Sequence, residues 1–309
     1  YRRFTRPAIL RKRIVANIGK PRTKTRNEIN NKALVYEVKD VFNLQDAFRR
    51  LDVIWEKDYA SMFKPDQSIL VKVNLNTADP YPASSSPEMV AALVEFLLSK
   101  ECKKIIIGDC ASNAALPTRK VADKVGLRKA IGGKAEYVFF DQGKWVEVPI
   151  SGRYLNKVTV PQIVLQVDRI INLANLKTHC LADFTFGMKL AVGYMHPEER
   201  YDLHREYLKE KSVEINLAVP ADLTIIDGRS AFITGGPSAG TEAKGNVIII
   251  GSDQLAVDFE AYKVIYKLKK DAGCIECFTE DPFEMVQLKH AREIELGGRP
   301  WEGSQLVKL

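Results

Sequence analysis

The sequence predicts an α/β protein built on a mostly parallel sheet with helices on both faces. From Ala33 onward, short apolar segments of strand character alternate with longer segments of helical period, which is typical of repeated βα units. Residues 104–108 contain three consecutive isoleucines, as expected of a strand that is buried on both faces. The 309 residues are enough for one large domain, and they leave open two lobes around a cleft.

The first half of the chain contains a series of predicted strands and three predicted helices. The first helix has apolar residues three and four positions apart, which places them on one face: Leu44, Phe48, Leu51 and Trp55. A second helix begins after the N-cap Ser86, with Pro87 in its first position. A third helix covers residues 118–125. Strands are predicted at residues 33–38, 68–73, 104–108, 135–140 and 145–148.

The second half repeats this alternation. Strands are predicted at residues 168–173, 223–226 and 246–250, and a helix from Ser252 to about Lys269. Asp281 and Glu284 form a capping box around Pro282, which predicts a last helix to about Ile294. We expect a basic N-terminal arm at residues 1–33 and an α/β domain at residues 34–309, in which residues 271–309 form a helical extension.

The positive charge of the protein is concentrated in the arm. Residues 1–33 carry eleven Lys or Arg and one acidic residue, so that a net charge of +7 for the whole chain leaves −3 for the remainder. This distribution favours an arm that contacts the acidic body or a second copy of the chain in a homo-oligomer. Binding of nucleic acid by the arm is a weaker alternative, because the rest of the chain has no basic, aromatic-rich face.

The cysteine content indicates the compartment. Five cysteines, an odd number in a chain of this length, favour a reducing environment and therefore a cytoplasmic protein without disulfides. No apolar run reaches the roughly 18 residues of a membrane span, so no membrane contact is expected. Cys274 and Cys277 form an isolated CxxC pair, which lacks nearby soft ligands for a zinc or iron–sulfur site.

Polar residues follow the ends of several predicted strands. Asn74, Asp109 and Asp227 each follow a different strand, while Lys177 and His179 follow the strand at 168–173. Ligands of open parallel sheets bind at the carboxyl ends of the strands, where these loops converge. Turn formation explains an Asp or Asn in such a position, but it does not explain Lys177 and His179. We therefore predict one cleft around residues 176–204.

Lys189 lies in an otherwise apolar stretch, residues 184–192, in which apolar residues alternate. An unpaired ammonium is costly in such surroundings, and with His179 nearby a functional lysine is favoured over one whose head only reaches water. Gly187 is expected to let the backbone approach a ligand. The glycine-rich loop at 234–241, with Gly236 and Gly240, is expected to offer backbone N–H groups to a carboxylate or phosphate.

The chain resembles the uncharacterised family called domain of unknown function 362 from about residue 33 to residue 270. The resemblance rests on short matches in the expected order, namely Lys72 with Asn74, Asp109, Lys177 with His179, Lys189, His204, Asp227 with Gly228, Gly236 to Gly240, and Asp253 with Asp258. Two features depart from the family pattern. Leu190 stands where Asn is usual, and the cysteine-rich ferredoxin segment of many members is absent.

The same segment is similar, more remotely, to the nickel-pincer lactate racemase family. Three of the four histidines lie within 26 residues, with His179 and Lys189 ten residues apart and His204 fifteen further on. The similarity implies that His179 is an acid or base, that Lys189 tethers a cofactor and that His204 binds a metal. A metal ion or a metal-containing organic cofactor is the expectation that follows. Racemase chemistry itself is not expected, because the first half of the chain contains no histidine.

These observations favour an enzyme that acts on a small anionic metabolite, a carboxylate or a phosphate. His179, Lys189, Lys177 and Asp109 are the predicted catalytic residues, with proton transfer assigned to His179. Binding roles are assigned to Lys72, Asn74, Asp227, Gly236 and Gly240, and a metal role to His204. Two alternatives remain. One is a metal-handling or iron–sulfur redox accessory protein that uses its cysteines, and the other is a nucleic-acid or assembly factor that uses residues 1–33.

Overall fold

The computed structural model describes residues 14–22, 28–29, 32–41, 43–112, 117–298 and 300–309. Its strands are β1 Ile14–Ile18, β2 Glu28–Ile29, β3 Lys32–Val38, β4 Ser68–Lys72, β5 Lys104–Asp109, β6 Glu136–Phe139, β7 Trp145–Pro149, β8 Lys157–Pro161, β9 Arg169–His179, β10 Asp183–Thr185, β11 Leu223–Phe232, β12 Glu242–Gly251 and β13 Ser304–Lys308. Its α-helices are α1 Leu44–Ile54, α2 Pro87–Ser99, α3 Thr118–Lys124, α4 Leu127–Ile131, α5 Gly187–Leu190, α6 Pro197–Leu203, α7 Leu208–Ala218, α8 Gln254–Asp271 and α9 Val286–Glu293.

The central sheet has the strand order β13-β3-β12-β11-β9-β4-β5-β6. The five strands from β11 to β6 are mutually parallel, whereas β12 runs antiparallel to both β11 and β3. A second, smaller sheet has the order β1-β7-β8. The predicted fold class, an α/β protein with a mostly parallel sheet, is confirmed.

Helices cover both faces of the central sheet because the side chains of each strand alternate between two apolar layers. On β9, Leu173 packs into the layer formed with α1 to α4. Ala174 and Leu176, on the other face, pack against α8 and α9. Further along that second face, Ile170 packs against the small sheet and α7. The carboxyl ends of the parallel strands therefore emerge between two packed layers.

Strand β9 is much longer than the sequence predicted. A strand was expected only at residues 168–173, with Lys177 and His179 in the loop that follows, and this prediction is wrong. Residues beyond 173 continue the strand because Phe232 of β11 pairs with Lys177 on one side. On the other side β10 folds back, pairing Thr185 with Lys177 and Asp183 with His179. Both residues are thus held in a sheet rather than in a turn.

The ends of the second half also differ from the prediction. The alternating apolar residues at 184–192, to which no element was assigned, form the end of β10, the short helix α5 and the start of a 3₁₀ turn. Asp281 accepts a hydrogen bond from the Phe283 N–H and begins a 3₁₀ turn, while the α-helix itself begins at Val286. Residues 271–309 were predicted as a helical extension, but they end in β13, which pairs with β3 in parallel. The sheet edge at β3 supplies this segment with backbone partners.

Part of the predicted basic arm lies on the body of the protein. Strand β1 pairs in parallel with β7. The guanidinium of Arg22 donates to the carbonyl oxygens of Val164 and Val167, at 2.9 and 2.6 Å, and it lies 3.3 Å from the carboxylate of Asp222. Residues 1–13, 23–27 and 30–31 of the arm lie outside the described residues. In the described part of the chain, no helix is long and apolar enough to cross a membrane.

Candidate functional site

Four basic side chains act on one another electrostatically at the end of β9. Lys177 and His179 lie on β9, Lys189 lies on α5, and His204 follows α6. The charge of Lys189 lowers the pKa values of the other three residues. The fold therefore places Lys177, His179 and His204 within electrostatic range of Lys189.

Lys177 is 1% exposed and has no carboxylate ion-pair partner among the described residues. Its Nζ donates to the carbonyl oxygen of Ala83 and, at 3.0 Å, to that of Pro237. Burial, and then the charge of Lys189, lower the pKa of Lys177 to about 7, against the opposite effect of Asp79. An ammonium has three N–H donors. One of the three therefore remains for a ligand.

His179 is buried, and the direction of its hydrogen bond determines its tautomer. The Leu181 backbone N–H donates to Nδ1 at 3.1 Å, so the proton of the neutral ring resides on Nε2. Burial, followed by the charges of Lys189 and Lys177, lowers the pKa of His179 to about 2. The ring is therefore neutral at physiological pH, and Nε2–H is available as a hydrogen-bond donor.

Lys189 is 7% exposed, and within the described residues its Nζ makes neither a hydrogen bond nor an ion pair. Burial lowers the pKa of Lys189 to about 8, and the thiol of Cys180 acts in the opposite direction. The Nζ is not among the buried polar atoms that lack a partner, so the head group reaches solvent although the rest of the side chain is buried. Its three N–H groups are therefore available to a ligand that approaches from that side.

The backbone of the turn that carries Lys189 is held from both sides by buried side chains. Asp258 of α8 accepts hydrogen bonds from the Gly187 and Met188 N–H groups at 2.8 and 2.9 Å. Asn216 of α7 donates to the Met188 carbonyl oxygen at 2.9 Å. Burial raises the pKa of Asp258 to about 7 despite these hydrogen bonds. Sequence reasoning matched Asp258 to a family pattern without a role, and it missed Asn216. An Asp within the apolar face of a helix was the available signal.

Gly187 was expected to give a ligand access to the backbone, and that expectation is wrong. A Cβ there would lie 2.5 Å from Thr224 Cγ2 and 2.9 Å from Asp258 Oδ1. The glycine thus allows the turn to pack against β11 and α8. Thr185, opposite Lys177 in the β9–β10 pair, shares a face with it, and its buried Oγ1 has no hydrogen-bond partner in the described part of the chain.

Lys72 and Asp109, predicted to bind and to catalyse, form a buried ion pair with an Nζ–Oδ1 distance of 2.7 Å. Asp109 also accepts from the backbone N–H groups of Leu75 and Cys110, at 2.5 and 2.7 Å. The charge of Asp109 acts on Lys177, so the pair lies close to the four basic residues. Its polar atoms are nevertheless engaged within the fold, which is typical of a structural pair.

Asn74 is part of the loop that closes over the end of β4. Its backbone N–H donates to the Ser85 Oγ at 2.8 Å, and its side-chain oxygen accepts from the Asn76 N–H at 3.3 Å. Asn175 holds the same loop by donating to the carbonyl oxygens of Pro82 and Ser84. The loop in turn presents the Ala83 carbonyl oxygen to Lys177, so Asn74 supports the site indirectly.

Asp227 is engaged by Tyr81 and Arg229, outside the group of four basic residues. The Tyr81 hydroxyl donates to Oδ1 at 2.9 Å, and Arg229 donates to both carboxylate oxygens at 2.9 and 2.8 Å. Tyr81 and Arg229 line a groove of about 840 Å³ whose lining includes neither Lys177 nor Lys189. The group of four basic residues and this groove are thus separate sites on the protein.

The glycine-rich loop packs closely on β9. A Cβ at Gly236 would overlap the carbonyl oxygen of Thr178. The Gly236 N–H, predicted to bind an anion, donates instead to the Ala239 carbonyl oxygen at 2.7 Å, and a Cβ at Gly240 would overlap the Thr234 carbonyl oxygen. The contribution of the loop to the site is the Pro237 carbonyl oxygen that Lys177 contacts.

His196 and His204, the other two of the three histidines between residues 179 and 204, lie in different surroundings. His196 caps α6, because its Nδ1 accepts from the Glu198 N–H at 3.3 Å. His204 is exposed, and its Nδ1 lies 2.6 Å from the Arg200 carbonyl oxygen, which leaves Nε2 as the free ring nitrogen. Among the described residues, no group of three or more His, Cys, Asp or Glu is arranged to hold a metal ion. The metal role of His204 therefore stays a prediction that rests on this one side chain.

Two solved structures are similar to this chain at low identity. A crystal structure of a Thermotoga maritima protein aligns with a TM-score of 0.47 and 14% identity, covering 75% of this chain and 60% of that one. The lactate racemase apoprotein from Thermoanaerobacterium thermosaccharolyticum aligns with a TM-score of 0.42 and 10% identity, covering 77% of this chain and 59% of that one. The chain spans about three fifths of the length of each.

Sequence comparisons give a closer relationship. The thylakoid-associated protein sll1697 of Synechocystis sp. is 28% identical over 216 residues, which cover 63% of this chain and 62% of the relative. The family model described as "Domain of unknown function (DUF362)" matches residues 69–263. The matched segment includes Lys72, Lys177, Lys189, His204 and Asp258, and it is shorter than the range 33–270 expected from the sequence. The chain therefore belongs to the DUF362 family.

Proposed function

We propose that this protein binds a small carboxylate or phosphate compound at Lys177, His179 and Lys189, and acts on it by proton transfer. One observation carries the proposal. Two lysine ammoniums, each more than nine-tenths buried, interact electrostatically, and neither forms an ion pair with a described carboxylate. Two cations confined in this way repel each other. A bound anion would offset both the repulsion and the loss of hydration.

The hydrogen-bonding capacity of the site supports an anion rather than a neutral ligand. Lys177 has one free N–H, Lys189 has three, and His179 offers Nε2–H. The unpartnered hydroxyl of Thr185 lies on the same face. Every one of these groups donates, and only Thr185 also accepts. A carboxylate or phosphate, with several acceptor oxygens and a negative charge, complements such a set.

The proposed chemistry assigns a separate part to each side chain. An anion beside the ring opposes the electrostatic effects that lower the pKa of His179, so the ring takes up a second proton in the complex, and the imidazolium then transfers its Nε2 proton to the ligand. Lys189 stabilises negative charge that develops on the ligand. Lys177, fixed by two carbonyl oxygens, orients the ligand.

Thermal melting with and without anions tests the proposal. Inorganic phosphate and oxalate should raise the melting temperature of the wild type, because a ligand that binds only the folded state stabilises it. Lys189→Met should abolish this response. Lys269→Met is the matched control, since Lys269 is equally buried but donates to the Ile233 carbonyl oxygen. An equal response in wild type and Lys189→Met would overturn the proposal.

The proposal includes a cytoplasmic protein and an arm that contacts a second copy of the chain. Free Cys102 and Cys110, both buried, are compatible with a reducing compartment. The basic character of residues 1–33 supports the homo-oligomer. Sedimentation of the full chain and of a chain lacking residues 1–13, which keeps β1 and Arg22, tests the second point. The oligomer should be lost with this segment, and an unchanged oligomeric state would contradict the proposal.

A further inference from the structure

Lys189 differs from the other buried lysines of the described chain in what its Nζ contacts. Lys72 pairs with Asp109, Lys177 donates to two carbonyl oxygens, and Lys269 donates to the Ile233 carbonyl oxygen at 2.8 Å. Lys189, in contrast, makes no such bond to a described residue. An amine whose N–H groups are not committed can lose a proton and expose its lone pair without breaking a hydrogen bond.

The backbone that carries Lys189 is held in place, although the Lys189 Nζ itself has no hydrogen-bond partner among the described residues. Asp258 holds the Gly187 and Met188 N–H groups, and Asn216 holds the Met188 carbonyl oxygen. Gln254 Nε2 donates to the Asn216 Oδ1 at 2.7 Å, which orients the Asn216 amide. Three buried polar side chains thus hold one short turn. Such support is the means by which proteins keep a reactive group in place.

We infer that Lys189 is a nucleophile that forms an imine with the carbonyl carbon of a small anionic carbonyl compound, such as a 2-oxo acid. The inference rests on the proposed function, because the carboxylate of such a compound would be held by Lys177. A lysine that is desolvated and lies next to another cation is the environment in which a neutral, nucleophilic amine persists near neutral pH.

The reaction balances without an oxidant or a reductant. The Nζ lone pair of the neutral amine attacks the carbonyl carbon, a C–N bond forms, and the electron pair of the C=O bond moves to oxygen. His179 Nε2–H donates a hydrogen bond to this oxygen as negative charge develops on it. One amine proton passes from nitrogen to the oxygen to give the carbinolamine, and the second follows when the C–O bond breaks and the oxygen leaves as water. The products are an imine and one water molecule.

Reductive trapping tests the inference on the full chain. Wild-type protein is incubated with pyruvate, and in parallel with glyoxylate, in the presence of sodium cyanoborohydride, and intact mass and peptide mapping follow. We expect one reduced adduct per chain, located on Lys189. Lys189→Arg, which keeps the charge, should lose the adduct, and Lys72 and Lys269 should stay unmodified in the wild type. The exposed Cys180 can add to the carbonyl group only as a hemithioacetal. Cyanoborohydride does not reduce that adduct, so it is lost before the mass is measured.

The outcomes separate this inference from the proposed function. If pyruvate raises the melting temperature but no adduct forms at Lys189, the imine inference is wrong and the anion site stands. If equal adducts form in wild type and Lys189→Arg, the reaction is a surface event and the inference is again wrong. If neither anions nor pyruvate raise the melting temperature and no adduct forms, both proposals fail. Melting curves of Lys189→Arg in buffer establish that the variant is folded.

Discussion

The Lys72 ammonium lies 2.7 Å from the Asp109 carboxylate, and both side chains are almost completely buried. The backbone N–H groups of Leu75 and Cys110 also donate hydrogen bonds to the carboxylate. Burial lowers the pKa of Lys72, whereas the charge of Asp109 opposes that shift. This pair joins the ends of β4 and β5. Its charged groups are partnered within the protein, whereas the Lys189 Nζ has no hydrogen-bond partner among the described residues.

Removing one member of this pair should destabilise the fold rather than only the site. Asp109→Ala leaves a buried ammonium unpaired, for which we expect a loss of about 3–5 kcal/mol in the free energy of unfolding. Urea denaturation measures this loss. The control is Glu95→Gln, which breaks the exposed pair with Lys134 and should cost less than about 1 kcal/mol. A stable Asp109→Ala protein that no longer responds to anions would instead identify Asp109 as a ligand-binding residue.

The stability difference between Lys189→Met and wild type should depend on pH. The pKa of Lys189 in the folded protein, about 8, lies below the ordinary value of 10.5. Below pH 8 the buried ammonium therefore reduces wild-type stability, and the variant should be more stable, by up to a few kcal/mol. From pH 8 to 10.5 the folded wild type has already lost this proton, so the difference should shrink. Denaturation at pH 6.5 and pH 10 tests this, and a variant less stable than wild type at pH 6.5 would contradict it.

Glu214 should make the protein sensitive to acid. Desolvation favours the protonated carboxyl, but hydrogen bonds from His290 and from the Tyr154, Arg153 and Leu155 N–H groups outweigh it and lower the pKa of Glu214. The ionised group therefore stabilises the fold above its ordinary pKa of 4.5, and this contribution is lost as the pH falls below that value. Glu214→Gln should cost roughly 3 kcal/mol at pH 7.

The same variant provides the pH test for Glu214. Between pH 6 and pH 3 the wild type should lose more unfolding free energy than Glu214→Gln, so the two values should converge in acid. Parallel loss in both proteins would show that other carboxyl groups cause the acid sensitivity.

Gly236→Ala should disturb the site through the backbone. The residue has a φ of +78°, and an added Cβ would overlap the Thr178 carbonyl oxygen. Gly273→Ala is the matched control, because Gly273 has a φ of +66° but open space around it. This variant should therefore show only the conformational cost of a side chain at positive φ, about 1 kcal/mol in the free energy of unfolding. We expect an additional cost of about 1–3 kcal/mol at Gly236. The response to phosphate should also weaken, since Lys177 binds the adjacent Pro237. Equal losses in both variants would refute the steric argument.

The sequence predicted the parallel half of the sheet well because its signals are local. The apolar run of β5 and the N-cap of α2 are both visible within a few residues, and Ser86 does accept a hydrogen bond from the Met89 N–H. The grouping of Lys177, His179 and Lys189 was also visible, since a charged residue in an apolar stretch is unusual wherever the stretch folds.

The chemistry of several single residues was not predictable, because it depends on partners far away in the chain. Lys72 looked like a ligand-binding lysine, but Asp109 neutralises it. His196 appeared to belong to a histidine cluster, yet it caps a helix. The strand character of Lys177 depends on Phe232 of β11 and on the return of β10. Such long-range pairing leaves no trace in a local window of sequence.

The position of β3 has a consequence for how the protein is made. The preceding strand β2 pairs only with Lys32 and Ala33, whereas the rest of β3 pairs with β12 and β13, which follow much later in the chain. During synthesis β3 leaves the ribosome long before these two strands, and the backbone groups of residues 34–38 stay without strand partners until β12 and β13 have emerged. Apolar residues such as Val35 and Leu34 are exposed throughout that interval. Nascent chains of this protein are therefore expected to depend on a holding chaperone, and stalled chains that lack β12 should aggregate through β3.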